Sequence, residues 1–366
     1  MKITLVIFSL SSGGAERVMS IIANYWSERG EIVSIITIDS VDRDFYSLHE
    51  RINRVGLNIA GESTTLWSAV KNNFSRLKML RSAIQETKPD IVISFLDRMS
   101  VLTLVATRGL SLPIVVSEHI DPRQLPPGGV WNSLRRWTYR WASAVVVLTS
   151  ELRNVLSEFV DEKRLYVIPN PALPTKHSKE AAIPFDLPKP FIVAMGRLVV
   201  QKGFDLLLEA FCHFNNTNWS LVILGEGPER KHLESITEEL GIRSRVYIPG
   251  RISDPSCVLR RAEFFVLSSR FEGFPMAILE AMSCGLPVIS FDCPTGPREI
   301  ISDGVDGVLV PPGDVTALAE AMNRLMEDGG ERKRLANRAN KVTDKFSLEN
   351  VMARWLRLIN VVIGEL

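Results

Sequence analysis

Apolar residues recur along this chain in short unbroken runs, separated by stretches in which they return at helical spacing. The runs read as strands buried on both faces, and the spaced stretches as helices with one apolar stripe. Strands are therefore expected at Ile3–Phe8, Ile32–Ile38, Ile91–Phe95, Ile114–Ser117, Ala144–Leu148 and Leu165–Ile168. Helices fall between them at Ala15–Arg29, Leu66–Thr87, near Ser100–Arg108, through Asn132–Trp141 and from Ser150. A second series of strands starts at Phe191–Ala194 and runs through Trp219–Leu224, Val246–Ile248, Phe264–Leu267, Val288–Phe291 and Gly307–Val310. Such alternation predicts an α/β architecture, a parallel sheet with helices on both faces, built twice. Between the two series lie Pro169, Pro171, Pro174, Pro184, Pro188 and Pro190 among charges, so residues 169–190 read as a linker. The domains are then 1–172 and 173–346. A last helical stretch, Leu348–Ile363, is more apolar than a free tail would be.

Composition adds exclusions. A chain of 366 residues has room for two cores, at ~150 residues per domain. With 43 basic against 42 acidic residues the net charge is +1, which leaves no overall nucleic-acid footprint. Cys212, Cys257, Cys284 and Cys293 have no Cys-x-x-Cys spacing, which fits a reducing cytosol and argues against a thiolate zinc site. No apolar run approaches the ~18 residues that span a bilayer. The opening Met1–Leu10 has a short apolar core and runs into Gly-Gly-Ala-Glu-Arg, so it reads as a first strand and not as a signal peptide.

The stretch from Phe271 to Ser290 carries the most chemistry. After the strand Phe264–Leu267, two serines and Arg270 lead to Glu272 and Gly273. Pro275 stands where the first turn of a helix should begin, and Gly285 closes that helix before the next buried strand. A helix N-terminus flanked by the carboxylates of Glu272 and Glu280 suits an anion beside sugar hydroxyls. Two glutamates eight positions apart signal nothing alone in a chain with this many acids; the strand–Glu-Gly-Phe-Pro–helix–Gly–strand frame does.

On these residues the chain resembles the family 4 retaining glycosyltransferases of the GT-B fold, over nearly its whole length. Glu272 and Glu280 match the E-x7-E motif of that family. The resemblance implies two Rossmann-like parallel-sheet domains facing across a cleft, with the ligand at the carboxyl ends of strands. It also implies that the last helix, within 347–366, packs back on the first domain.

Other motifs gain meaning beside it. Arg197 and Lys202 follow the first strand of the second domain, where two cations near a helix start are electrostatically awkward unless an anion is bound. The family holds the nucleotide diphosphate with the matching pair. Gly13 and Gly14 open a helix after the first strand, where backbone amides can touch a phosphate; the resemblance brings this loop to the donor diphosphate and the acceptor. Gly225-Glu226-Gly227 lacks the third glycine of the dinucleotide fingerprint and reads as a tight turn lining the nucleotide pocket. Arg251 and Ile252 stand where the family contacts the base. His119, in Ser117-Glu118-His119 past a strand end, matches the histidine beside the transferred sugar.

The resemblance implies retaining transfer from a nucleotide sugar, a UDP-sugar, through an oxocarbenium-like transition state. Arg197, Lys202 and the amides near Gly273 and Phe274 stabilise the departing diphosphate. Glu272 binds the sugar's 3- and 4-hydroxyls and Glu280 the ribose. No cofactor and no metal are expected, since the two cations carry the charge that Mg²⁺ carries elsewhere.

The acceptor is read from a helix. Residues 64–150 hold eleven basic against five acidic residues. Projected at helical pitch, Leu66, Val70, Leu77, Leu80 and Ile84 form a core stripe. Beside it Trp67, Lys71, Phe74, Lys78 and Arg81 form an aromatic and cationic stripe, suited to an anionic membrane or a lipid diphosphate, or else a solvated face. Trp131–Trp141 is again aromatic and basic, with Trp137 and Trp141 on one face. Together these features look most like the GalNAc and hexose transferases of bacterial glycan clusters. Those enzymes extend polyprenyl-diphosphate-linked saccharides at the inner face of the cytoplasmic membrane, which implies a cytoplasmic, peripheral protein. An epimerase of the same fold and a transferase with a soluble acceptor stay open; a nicotinamide oxidoreductase lacks its glycine fingerprint.

Overall fold

The computed structural model describes residues 1–60, 66–124, 128–172, 190–213, 218–252 and 254–364, of which 66–74, 340 and 343 are described by backbone only. Most of the linker read at 169–190 lies outside the described residues. The chain divides into two compact units, Met1–Asn170 with Val351–Leu366, and Pro171–Asn350.

Among the described residues the first unit carries a seven-stranded sheet. Its strands are β1 (Lys2–Ile7), β2 (Ile32–Thr37), β3 (Asn53–Gly56), β4 (Ile91–Phe95), β5 (Ile114–Glu118), β6 (Ala144–Val147) and β7 (Leu165–Val167). They lie in the order β3-β2-β1-β4-β5-β6-β7, all parallel. Helices α1 (Gly14–Glu28), α2 (Leu66–Thr87), α3 (Asp97–Ala106), α4 (Gly129–Thr138) and α5 (Ser150–Leu156) connect them. The central strands are buried along their length because helices cover both faces, which is why their sequences are unbroken apolar runs.

β3 escapes a hydrophobic reading. It is a polar edge strand tied down by Arg54, whose Nε and Nη2 both donate to Asp44 at 2.7 Å. α3 begins at Asp97, before the expected Ser100. Met99, Val101, Leu102 and Leu104 are all buried, so it offers no stripe from which to read its start. The expected helix through Asn132–Trp141 is instead α4 followed by a 3-10 turn at Tyr139–Trp141. On α2, Leu80 and Ile84 are core and Leu77 packs against them, while the side chains of Leu66 and Val70 lie outside the described residues.

The second unit holds a six-stranded parallel sheet among the described residues, ordered β10-β9-β8-β11-β12-β13. Its strands are β8 (Phe191–Met195), β9 (Ser220–Leu224), β10 (Val246–Gly250), β11 (Phe264–Leu267), β12 (Val288–Phe291) and β13 (Val308–Val310). Helices α6 (Phe204–Cys212), α7 (Arg230–Glu239), α8 (Ser256–Leu259), α9 (Met276–Ser283), α10 (Pro297–Ile300), α11 (Val315–Glu327) and α12 (Gly329–Lys345) follow in turn. The last helix, α13 (Leu348–Ile363), belongs from Val351 onward to the first unit, where Val351, Met352, Trp355, Leu358 and Ile359 are buried.

Each sheet reverses its strand order once, between β1 and β4 and between β8 and β11. Ligands of doubly wound sheets bind beyond the carboxyl ends of strands at such a switch point.

Candidate functional site

In the second unit the loop after β8 and the loop after β11 are laced together. Lys202 Nζ meets Glu272 Oε1 at 2.6 Å, and Ser269 Oγ donates to the same oxygen at 2.6 Å. Ser268 Oγ donates to the Lys202 carbonyl, Gln201 Nε2 to the Phe271 carbonyl, and the Arg270 amide to the Gln201 carbonyl. Arg270 also forms a two-pronged pair with Asp205, at 2.8 and 2.6 Å. Thr295, a non-glycine residue at φ 60°, donates its hydroxyl to the Glu272 carbonyl. Backbone held in that region costs about 1–3 kcal/mol and persists where the surroundings over-determine it.

Close backbone approach makes this lacing possible. Gly203 sits at φ +60°, and a Cβ there would stand 2.1 Å from the Ser268 carbonyl oxygen. At Gly225 the equivalent Cβ would lie 1.8 Å from the Gly196 carbonyl oxygen, so the Gly-x-Gly turn after β9 packs flat on the loop that carries Arg197.

Lys202 is mostly buried and ion-paired instead of being a surface cation, while Arg197 is exposed with no partner among the described residues. Glu272 is buried. Glu280 is buried within α9, on the helix that starts just past Gly273. Pro275 is the residue before the helix and not its first member, and Gly285, at φ 76°, ends it with Leu286 N donating to the Ala281 carbonyl. Phe274 is turned inward, its ring edge-on to Phe346 at 5.5 Å, so its side chain packs and only its backbone borders the loop. Arg251 is exposed and Ile252 half-buried just past β10, whose Gly250 carbonyl accepts from the Gly225 amide. A cavity of about 450 Å³ lined by Arg298, Ile300, Asp306, Arg338, Lys341 and Lys345 among others shares no residue with this set.

In the first unit Gly13 is the residue before α1 and Gly14 its first. A Cβ on Gly13 would stand 2.1 Å from Glu16 Oε2, so the carboxylate of Glu16 lies over this helix start. It places a negative charge at this end of α1, beside the amides read as reaching the donor phosphate.

His119, just past β5, is buried. Its ring stacks on Phe95 with centroids 4.4 Å apart, and Nε2 lies 3.1 Å from Ser117 Oγ. Burial holds its pKa down at about 3, so the imidazole is neutral. Its neighbour Glu118 points to the opposite face, as alternation along a strand requires. There Tyr139 donates to its carboxylate, and Arg135 stands 3.7 Å away. Burial raises the Glu118 pKa to about 7 against the lowering influence of Arg135 and Tyr139.

The cationic stripe of α2 needs correction at one position. Arg81 Nη1 donates to the carbonyls of Ala106 and Arg108, at 2.6 and 3.0 Å, and thereby closes the C-terminus of α3. Lys78 is exposed, and the side chains of Trp67, Lys71 and Phe74 lie outside the described residues. On α4, Trp137 is half exposed and meets Trp141 edge-on at 4.4 Å, with the Arg108 guanidinium 4.6 Å above Trp141. Arg136 and Arg140 are exposed beside it.

All four thiols are pushed up by burial, so no low-pKa cysteine nucleophile is present. Asp42-Arg43-Asp44 has the spacing of a metal-binding acidic pair, but Asp44 is held by Arg54 and Asp42 accepts from Ser40. Among the described residues no cluster of three or more His, Cys, Asp or Glu side chains is poised to hold a metal. No described helix is long and apolar enough to cross a membrane.

Comparisons with known proteins agree with this geometry. Residues 176–342 match the model of the glycosyl transferases group 1, and residues 12–172 that of Glycosyltransferase Family 4. Over 363 residues, 98% of each chain, the protein is 32% identical to a Campylobacter jejuni enzyme. That enzyme is the GalNAc-alpha-(1->4)-GalNAc-alpha-(1->3)-diNAcBac-PP-undecaprenol alpha-1,4-N-acetyl-D-galactosaminyltransferase. A second Campylobacter jejuni enzyme is 26% identical over 97% of this chain and 99% of its own; its name is N-acetylgalactosamine-N,N'-diacetylbacillosaminyl-diphospho-undecaprenol 4-alpha-N-acetylgalactosaminyltransferase. Among solved structures, Anabaena Alr3699/HepE in complex with UDP and glucose superposes with a TM-score of 0.81 at 18% identity, over 99% of this chain and all of its own.

Proposed function

The chain belongs to the family 4 glycosyltransferases, two Rossmann-like units of the GT-B fold, and from that membership we propose its reaction. It transfers a hexose or N-acetylhexosamine, GalNAc as the first choice, from a UDP-sugar to a polyprenyl-diphosphate-linked saccharide with retention at the anomeric carbon. The observation that carries the donor half is the Lys202–Glu272 pair at the β8/β11 switch point, with Arg197, which has no partner among the described residues, on the same loop as Lys202. A cation held in a fixed place by a buried carboxylate is preorganised for charge that develops on a departing phosphate. Glu272 and Glu280 are acceptor-only groups when ionised and take hydroxyl donors of the sugar and ribose.

In the proposed step the bond from C1 to the diphosphate breaks and its electron pair leaves with the diphosphate. The acceptor oxygen bonds to C1 from the leaving-group face, and its proton passes to the departing phosphate oxygen. Arg197 and Lys202 neutralise the leaving group without a metal. His119, neutral, offers a hydrogen bond to the sugar and not a proton at ordinary pH.

The acceptor half is supported by the two Campylobacter relatives, whose names state undecaprenol-linked substrates. Lys71 and Lys78 of α2, Arg136 and Trp137 of α4, and Arg140 in the 3-10 turn after it are the residues proposed to meet an anionic membrane and the acceptor's diphosphate. Each such cation contributes about 1 kcal/mol near an anionic bilayer.

The test is a panel of nucleotide sugars incubated with the protein and membrane extract, with EDTA present. UDP release that needs the extract and survives chelation supports the reading. Conversion of the donor to its epimer without an acceptor, or turnover abolished by EDTA and restored by Mg²⁺, contradicts it.

A further inference from the structure

The first unit contains a run of four rings that joins both ends of the chain to the candidate sugar-side histidine. His119 stacks on Phe95 at 4.4 Å and 29°. Phe95 in turn lies nearly parallel to Trp355 of α13, at 6.5 Å and 14°, and Trp355 meets Trp26 of α1 edge-on at 6.2 Å and 85°. Phe95, Trp26 and Trp355 are buried, and the residue after Phe95, Leu96, is one of the few described non-glycine residues at positive φ, 71°. That turn is pinned by Leu96 N donating to the Ser117 carbonyl at 3.0 Å, on the strand that ends in His119. Backbone strain of this kind costs about 1–3 kcal/mol and is retained where packing over-determines it.

The two ring nitrogens of His119 are not equivalent. Nε2 is committed to Ser117. Nδ1 has no partner among the described residues, yet it is absent from the buried unpartnered side-chain atoms, which are Arg135 Nε and Thr138 Oγ1. Nδ1 therefore opens to solvent, while the ring face is covered by Phe95.

We propose that Trp355 is a positioning residue for His119: through Phe95 it presses the imidazole into one orientation, with Nδ1 outward toward the transferred sugar. The assignment rests on the reading of His119 given above, but the stack can be tested apart from it. A helix contributed by the end of the chain thereby completes a site that begins in the first unit. The covering rings also keep water from that face of the imidazole, in accord with its depressed basicity. Removing the indole leaves Phe95 free to turn and opens the covered ring face to water.

The experiment uses the full chain with Trp355→Ala, Trp355→Phe and Phe95→Leu, each checked for native circular dichroism. The His119 ring proton, identified by its loss in His119→Gln, is followed by NMR from pH 5 to 8. In the wild type it should not titrate in that window. In Trp355→Ala it should titrate, turnover number should fall at least tenfold, and UDP affinity should stay within twofold. Trp355→Phe should restore both readouts in part. Should Trp355→Ala not fold, Phe95→Leu serves, with the same titration expected. A His119 signal that stays silent in the folded variants overturns the proposal whatever the turnover. A signal that titrates with unchanged turnover upholds the stack and removes His119 from the transfer reaction.

Discussion

Lys202 and Glu272 form the contact on which the proposed donor site turns, and a double-mutant cycle measures it. The pair is 2.6 Å long, with side-chain exposures of 18% and 7%, and Glu272 also accepts from Ser269. Breaking one partner of a buried ion pair typically costs ~3–5 kcal/mol, because the other charge is left buried. Lys202→Met strands Glu272 against Ser269, so a loss of about 3 kcal/mol is expected. In Glu272→Gln the amide still accepts from Ser269 and Lys202 retains some solvent, so about 1–2 kcal/mol is expected. The double variant should fall short of the sum by at least ~1 kcal/mol, as residues in one network do. Urea denaturation followed by circular dichroism gives the free energies, and hydrogen exchange in the peptide spanning 268–275 localises the effect to the second unit. Each single variant should also lose ~10²–10³ in turnover, with the double variant little worse, since the two act as a unit. Stabilities that add within ~0.5 kcal/mol would refute the coupling.

Further outcomes separate structural from functional cations and probe the strand ends. Arg81→Ala should lower stability by ~1–2 kcal/mol through loss of its two carbonyl bonds, whereas Lys78→Glu should leave stability alone and weaken sedimentation with anionic vesicles. The reverse pattern would restore Arg81 to the membrane stripe. Gly203→Ala should cost at least ~2 kcal/mol and most of the activity, because a left-handed residue alone costs ~1–2 kcal/mol and its Cβ would strike the Ser268 carbonyl. Gly313→Ala, also left-handed but facing open space, should cost only ~1 kcal/mol; equal losses in urea midpoints would sink the packing argument. Glu118 has a folded-state pKa raised to about 7, so its contribution is fully present below its unfolded value and is lost as pH rises through about 7. Glu118→Gln should therefore gain stability relative to wild type between pH 5 and 7.5. His119, depressed to about 3, acts in the opposite sense, its contribution being full above its unfolded value and lost as pH falls. His119→Gln should lose stability relative to wild type over the same interval; parallel trends in the two variants would contradict the assignment.

Much of the fold was readable because its central strands are covered on both faces and so become apolar runs, as in Ile91–Phe95 and Phe264–Leu267. β3 was not, since an edge strand held by Arg54 and Asp44 needs little hydrophobicity. Helical projection placed Arg81 at the right angle on α2 but says nothing of what stands over it, here the end of α3. The loops bearing Arg197, Lys202 and Glu272 were visible as strand-to-helix turns. Their pairing was not, because it depends on β8 lying beside β11, a fact of sheet order. The stack from His119 to Trp355 is hidden for the same reason: β4 and β5 are neighbours, and α13 returns from beyond the second unit to cover them.

The central claim is retaining transfer from a UDP-sugar to a lipid-linked glycan, and one product analysis tests it. The purified protein is incubated with UDP-GalNAc and a polyprenyl-diphosphate-linked saccharide in vesicles, and the glycan is released and examined by NMR. The account predicts UDP in equal amount to added sugar, and a new glycosidic bond with the α configuration of the donor. A β-linked product, or UDP release with no sugar on the lipid-linked acceptor, would contradict it.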